Sequence, residues 1–179
     1  MRVPCHFFAL LLTLLPFCAG AETLDDAGIR KAFAEQVDSI RDPEKILALM
    51  ETRLDKDYVV NVDTKRTLPD GQTQATHESV NRAQFIANAK ESFRTTTIKD
   101  YSSSIQNIQY SSDKKEAYVT STEHLTGEVG VHFEDGKHGK ATAVSVTTCV
   151  ETLVLRDAIL RTLHSQCSNE EKISLARLQ

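Results

Sequence analysis

The C-terminal half of the chain constrains the fold most, because four long runs rich in Val, Thr, Ile and Leu follow one another with only short polar breaks between them. The runs cover residues 101–110, 116–133, 140–155 and 159–166. The breaks at 111–114, 134–137 and 156–158 have the composition of tight turns. Gly127 and Gly130 lie inside the second run and indicate a bulge or bend. This half of the chain is therefore predicted to form an antiparallel β-meander.

Three amphipathic helices are predicted before the meander. The first begins near Thr23, the second follows Asp42-Pro43, where an N-cap residue precedes a first-turn proline, and the third begins at Asn81. Each helix carries an apolar stripe at helical spacing. The stripes are Ile29, Phe33, Val37 and Ile40, then Ile46, Leu47, Met50 and Leu54, then Phe85, Ile86, Ala89 and Phe93. The first two helices are expected to form a helical hairpin.

Two segments carry a weaker pattern. A strand is predicted from Asp57, where the apolar period changes to two, and a polar connector with a turn at Pro69-Asp70-Gly71 is predicted over 64–78. The tail over 168–179 fits either a short helix or a frayed end. The residue pattern leaves both alternatives open for the tail.

The first 21 residues have the three parts of a cleavable signal peptide. These are an early positive charge at Arg2, an apolar core over 7–17 that is too short to span a bilayer, and the small residues Ala19-Gly20-Ala21. Cleavage is predicted between Ala21 and Glu22, which leaves one domain over 22–179. We expect export to the bacterial periplasm, with no stable membrane anchor.

The cysteines predict a disulfide. Cys5 and Cys18 leave with the signal peptide, so the mature chain keeps Cys149 and Cys167. A short turn at 156–158 pairs residues whose numbers sum to about 314, close to the sum for the two cysteines. Directly opposed residues on neighbouring strands lie near disulfide distance, and an oxidising compartment favours the bond. A Cys149–Cys167 disulfide is therefore predicted.

Charge and motifs exclude several classes of function. The chain has 25 acidic and 21 basic residues, interspersed and without a basic cluster, which argues against nucleic acid as a partner. No Gly-rich phosphate loop or nucleophile motif occurs, so no cofactor is expected. His124, His132, Asp135 and His138 lack the spacing that makes metal motifs specific. No metal site is predicted.

The order of the predicted elements resembles the nuclear transport factor 2-like superfamily, which includes ketosteroid isomerases and SnoaL-type cyclases. The resemblance is carried by Asp57-Tyr58-Val59-Val60 after the second helix and by Asn81-Arg82-Ala83-Gln84-Phe85 at the start of the third. It implies an α+β fold, in which N-terminal helices pack against a strongly curved antiparallel sheet and form a cone with a pocket at its wide end. It also implies a homodimer as one form of assembly, through the outside of the sheet. It identifies an architecture and no particular reaction.

The interior of such a cone is where an isomerase or dehydratase would hold a carboxylate base and oxyanion donors. Tyr58, Asp63, Tyr118 and Glu123 are the candidate catalytic residues. The first helix offers no Tyr to match the oxyanion donor of that superfamily. Glu151 lies on the more polar face of its strand and is expected to be an exposed carboxylate on the outer side of the sheet.

These features favour an exported, non-catalytic binding protein. Its partner would be a small apolar ligand in the cone or a periplasmic protein over the outer sheet face. Two alternatives stay open, namely an isomerase- or dehydratase-type enzyme of the same fold, and an immunity, inhibitor or chaperone protein for an exported partner. An enzyme needs a roomy pocket that holds a carboxylate with a raised pKa, whereas a protein binder needs an apolar outer patch.

Overall fold

The computed structural model describes residues 22–132 and 138–175 of the chain. The predicted signal peptide over residues 1–21, with its cleavage site after Ala21, lies outside the described residues, and so does the predicted turn between the second and third long runs. Within the described residues, the chain forms three helices and one sheet of six strands.

The three helices are α1 (Asp26–Ser39), α2 (Pro43–Arg53) and α3 (Arg82–Thr95). Each begins at a side chain that accepts a hydrogen bond from a backbone N–H group of the first turn. These caps are Asp25, Asp42 and Asn81. The three predicted helices are confirmed, although the second ends at Arg53, so that Leu54 of its predicted apolar stripe is the first residue of β1. No helix among the described residues is long and apolar enough to cross a membrane.

The six strands form one mixed sheet. They are β1 (Leu54–Thr67), β2 (Thr73–Asn81), β3 (Thr96–Tyr110), β4 (Glu116–His132), β5 (His138–Arg156) and β6 (Ile159–Leu175). Their order across the sheet is β2-β1-β6-β5-β4-β3. Every neighbouring pair is antiparallel except β1 and β6, which run parallel. The helices pack on one side of this sheet, which we call the inner face, and the opposite side is the outer face.

The polar segment over 64–78 is a β-hairpin and not the connector that its composition predicts. β1 continues to Thr67, and β2 begins at Thr73. The predicted turn is confirmed, with Gly71 at φ 85° and its N–H donating to the carbonyl oxygen of Leu68. β2 is an edge strand whose side chains are almost all exposed, so it shows no apolar alternation.

The tail is likewise a strand, neither of the two alternatives that its pattern allows. β6 runs on to Leu175, and residues 176–179 lie outside the described residues. The stretch from His164 to Lys172 pairs in parallel with Val59–Thr67 on one side and antiparallel with β5 on the other. Parallel pairing joins segments that are distant along the chain, so the local pattern carries no sign of it.

The disulfide between β5 and β6 is confirmed. Cys149 and Cys167 are directly opposite each other, with their Cα atoms 4.1 Å apart. The hairpin turn has two residues instead of the predicted three, Asp157 and Ala158, both at positive φ. Backbone of this kind matches the right-handed twist of the flanking strands. A later register shift in the same hairpin brings the two cysteines into line.

The predicted bulge near the glycines of β4 lies on the neighbouring strand. The register of β3 against β4 shifts between Ile98 and Asp100, across from Gly127. A Cβ atom at Gly127 would lie 3.0 Å from Cγ2 of Thr96 and 3.2 Å from the carbonyl oxygen of Thr97. Gly127 therefore allows a close approach of β3 that a larger residue would oppose.

The core lies between the helices and the inner face, in two apolar clusters. The cluster under α1 contains Ile29, Phe33, Ala117, Val119, Leu153 and Leu160. The cluster beside α2 and α3 contains Leu54, Tyr58, Val60, Ile86, Cys149 and Cys167. On the outer face, Val144, Val146 and Val150 of β5 are exposed. From Ala141 to Leu153, β5 therefore presents odd-numbered residues to the core and even-numbered residues to the outside.

Candidate ligand cavity and interior carboxylates

A cavity of about 520 Å³ lies between the inner face and the three helices. Most of its wall is apolar. The apolar lining residues are Ile40, Met50, Val62, Val80, Phe85, Ala89, Phe93, Ile98, Leu125, Val129 and Ala143. Its volume falls within the range of small-molecule sites, and such sites combine apolar walls with a few polar groups.

The charged side chains of the lining all come from the adjacent strands β1, β2 and β6. Arg66 donates from Nε to Oε2 of Glu171 at 2.5 Å, and the Glu171 side chain is only 17% exposed. Glu78 of β2 lines the same wall. Asn169 adds an amide, whose Oδ1 accepts a hydrogen bond from Thr147 at 3.0 Å. One wall of the cavity can therefore make charged and hydrogen-bonded contacts with a ligand.

Four polar side chains, which we call the interior cluster, lie on the inner face outside the cavity lining. They are Gln36, Tyr101, Glu123 and Glu151. Nε2 of Gln36 donates to Oε1 of Glu123 at 3.2 Å and to the Tyr101 hydroxyl at 3.3 Å. The Glu123 side chain is not part of the cavity lining, but Leu125, two residues further along β4, is. Glu123 therefore lies close behind the cavity wall, whereas Glu151 lies on the far side of the disulfide.

Burial changes the proton affinity of this cluster. Loss of solvation raises the pKa of Glu123, although hydrogen bonds from Tyr101 and Gln36 act in the opposite direction. Loss of solvation and the nearby Glu123 charge also raise the pKa of Tyr101. A buried carboxyl group with a raised pKa is a candidate for general acid–base chemistry.

Glu151 faces inward, so the expectation of an exposed outer carboxylate is wrong. It shares the odd-numbered face of β5 with the buried Cys149 and Leu153. Loss of solvation raises its pKa to about 8, the negative charge of Glu123 adds to this, and a hydrogen bond with Thr162 opposes it. The sequence carried a signal for this position. Glu151 is two residues from Cys149 and therefore shares its face of the strand, and a disulfide that joins two central strands packs in the core.

Tyr58 also lies inside, in the apolar cluster beside α2 and α3. Its side chain is 3% exposed, and its hydroxyl donates to Oγ of Ser165 at 3.2 Å. Loss of solvation raises its pKa. Ser165 is directly opposite Glu151 in the sheet, so Tyr58 and the interior cluster belong to one polar region.

The other two candidate catalytic residues are on the outside of the molecule. Asp63 of β1 accepts a hydrogen bond from Nδ1 of His77 at 2.7 Å, and its side chain is 60% exposed. Tyr118 of β4 is 37% exposed and donates to Glu116. Both alternate with the inward-facing residues of their strands, so their side chains point to the outer face. Of the four candidates, the structure therefore brings only Tyr58 and Glu123 into the interior.

Of the four residues weighed as metal ligands, the structure describes the side chain of His124 alone. Over residues 22–132 and 138–175, no group of three His, Cys, Asp or Glu side chains could hold a metal ion. His124 is exposed, and Asp135 lies outside the described residues.

Two members of the interior cluster, Gln36 and Tyr101, were not predicted from the sequence as site residues. Gln36 lies three residues after Phe33 and four before Ile40, within the apolar stripe of α1. A polar residue within such a stripe is the available signal for a buried hydrogen-bonding role. Tyr101 is the first tyrosine of the meander, and nothing in its local pattern sets it apart.

No protein-family model and no curated protein matches the sequence. Solved structures are similar in fold. A conserved protein of Planctomyces limnophilus is 11% identical, with a TM-score of 0.54 over 83% of this chain and 94% of that one. A protein of Kribbella flavida is 14% identical, with a TM-score of 0.50 over 81% and 90% of the two chains. An NTF2-like protein of Cytophaga hutchinsonii is 15% identical, with a TM-score of 0.47 over 78% and 93%.

Sequence identities this low are evidence for a shared fold and not for a shared function. Two helices, a hairpin, a third helix and a four-stranded meander follow one another, and the meander ends beside β1. This is the α+β arrangement that the resemblance implies, with one parallel strand pair in an otherwise antiparallel sheet. The chain therefore has the α+β fold that the resemblance to the nuclear transport factor 2-like superfamily implies.

Proposed function

We propose that this protein is an exported binding protein whose cavity holds a small, largely apolar molecule. The cavity of about 520 Å³ with its mainly apolar wall carries this proposal. Burying roughly 300 Å² of apolar ligand surface against such a wall contributes about 7 kcal/mol before the costs of association. The Cys149–Cys167 disulfide supports the export part of the proposal, because disulfides persist in oxidising compartments.

Two alanines of α3 provide a matched test. Ala89 lines the cavity, whereas Ala87 of the same helix is exposed and does not. We expect the neutral fluorescent probe N-phenyl-1-naphthylamine to bind the wild-type protein and the Ala87→Phe variant alike. Ala89→Phe places a ring in the cavity and should weaken probe binding by about tenfold or more, measured by fluorescence titration.

The same pair of variants defines the contrary result. Both substitutions carry the same helix-propensity cost, so a difference between them reports the cavity. Absence of probe binding by the wild-type protein, or equal binding by both variants, would contradict the cavity as the binding site.

A second candidate function is acid–base catalysis of the isomerase or dehydratase type. The raised pKa of Glu123, beside Tyr101 and Gln36, favours it. Such reactions begin with removal of a proton next to a carbonyl group. We place binding first because the Glu123 carboxyl group is outside the lining of the cavity, which a base acting on a cavity-bound substrate would have to reach.

Hydrogen–deuterium exchange of a small bicyclic ketone, 2-decalone, in deuterated water tests the catalytic candidate. An enzyme would accelerate exchange at the carbons next to the carbonyl group, and Glu123→Gln would slow it by about 100-fold. Glu170→Gln, at an exposed position of β6, should leave the rate unchanged. Exchange at the buffer rate with the wild-type protein would leave no support for proton abstraction by Glu123.

A further inference from the structure

We infer that the cavity selects apolar ligands that carry a positive charge, such as alkylamines or alkylammonium compounds, over anionic ligands of the fatty-acid type. Glu78 of β2 is the residue that determines this preference. The inference deepens the proposed function and rests on it, because both use the same cavity.

The first step concerns the cation on the charged wall. Arg66 is the basic residue of the lining, and it is already paired with Glu171 at 2.5 Å. Glu171 is 17% exposed, so its carboxylate depends on Arg66 for compensation of its charge. An anionic ligand would have to compete with this carboxylate for Arg66. The Arg66–Glu171 pair therefore adds no net positive charge to the wall.

The second step concerns Glu78, the remaining charged residue of the lining. Its neighbours on the same face of the β1–β2 hairpin are Val62, directly opposite, and Thr76 and Val80 along its own strand. None of these three carries a charge. The Glu78 side chain is exposed and lines the cavity, so it brings a formal negative charge to this wall. The net charge of the lining is thus negative, and a ligand cation would meet it.

The third step concerns the aromatic residues. Phe85 and Phe93 of α3 line the same cavity. The faces of aromatic rings attract cations and repel anions, because the ring quadrupole is negative there. Carboxylate and rings therefore favour the same sign of ligand charge, with the apolar remainder of the ligand against the apolar wall.

Three ligands with the same ten-carbon chain test the inference, each used below its micelle concentration. Decylammonium, decanoate and decanol compete with N-phenyl-1-naphthylamine for the wild-type protein. We expect decylammonium to displace the probe at roughly five- to tenfold lower concentration than decanoate, with decanol between them. The preference should decrease as salt is added, because the Glu78 carboxylate is solvent-accessible.

The Glu78→Gln variant identifies the residue. It should lose most of the preference for decylammonium over decanoate, with displacement corrected for the affinity of each protein for the probe. Glu170→Gln removes an exposed carboxylate from the next-but-one strand, outside the cavity lining, and should keep the preference.

The outcomes separate the inference from the function on which it rests. Probe binding with equal or stronger displacement by decanoate overturns the charge preference and leaves the binding function in place. An unchanged preference in Glu78→Gln overturns the assignment to this residue. Absence of probe binding by the wild-type protein overturns the proposed function and, with it, the inference.

Discussion

At the scale of single residues, the unusual feature of this protein is the presence of two carboxyl groups behind an apolar cavity. The charge of Glu123 is near enough to raise the pKa of Glu151, and both groups have lost much of their contact with water. Tyr58 and Tyr101 also face this region, and they offer hydroxyl groups but no positive charge. Proton binding is therefore the means by which the interior avoids two buried negative charges.

The pKa of Glu151 predicts a pH-dependent stability. In the unfolded chain this carboxyl group ionises near 4.5, and in the folded protein near 8. Between these values the folded state binds a proton that the unfolded state does not, so the free energy of unfolding falls as pH rises. The stabilisation is complete below about pH 4.5 and is lost above about pH 8. We expect a total loss of about 2–4 kcal/mol, after allowance for solvent contact of the side chain.

Glu151→Gln should remove most of this dependence, because the amide does not titrate. The measurement is urea unfolding at about pH 5 and about pH 9, with Glu170→Gln as the exposed control. The control should follow the wild-type protein, and a smaller slope should remain in Glu151→Gln because of Glu123. Identical pH dependence of the wild-type protein and Glu151→Gln would contradict the buried state of this acid.

At the scale of elements, the β5–β6 hairpin divides the inner face. Its disulfide lies in one row of the sheet, with Thr147 and Asn169 on the cavity side and Glu151 and Ser165 on the other. Both cysteines are buried in the apolar cluster beside α2 and α3. The disulfide is thus part of the core that separates the cavity from the buried glutamate.

Loss of this disulfide should destabilise the protein. Its two cysteines are 18 residues apart, and closure of a loop of this length stabilises a fold by about 2–4 kcal/mol. We expect the variant with both Cys149→Ala and Cys167→Ala to lose that amount, measured by urea unfolding. The wild-type protein in a reducing buffer should approach the variant. If the reductant leaves the midpoint of the wild-type protein unchanged, the bond does not contribute as proposed.

At the scale of the whole molecule, one ionic network ties the N-terminal segment to both layers. Arg53 at the end of α2 donates to Glu22 at 2.6 Å and 3.1 Å, and to Glu35 of α1 at 2.5 Å. Glu22 also accepts from the backbone N–H of Leu160 at the start of β6, and its own N–H donates to Ala158. The first described residue is therefore anchored to the helices and to the β5–β6 hairpin together.

Local sequence rules predicted the elements whose contacts join residues that are near each other along the chain. The capped helices, the disulfide and the strands of the meander follow from side-chain chemistry at neighbouring positions. The hairpin over 64–78 was missed because an exposed edge strand needs no apolar alternation. The end of β6 was missed because its partner, β1, lies about a hundred residues away, and only the assembled sheet can satisfy its backbone.

The candidate site shows the same division. Sequence by itself determined that Glu123 and Tyr58 were worth testing, and that Cys149 and Cys167 would pair. Only the tertiary structure decided that Glu151 faces the core, that Asp63 and Tyr118 do not, and that Gln36 reaches Glu123. The physical reason is that alternation divides a strand into two faces without saying which face the helices will cover. That choice is made by packing of the whole sheet against α1, α2 and α3.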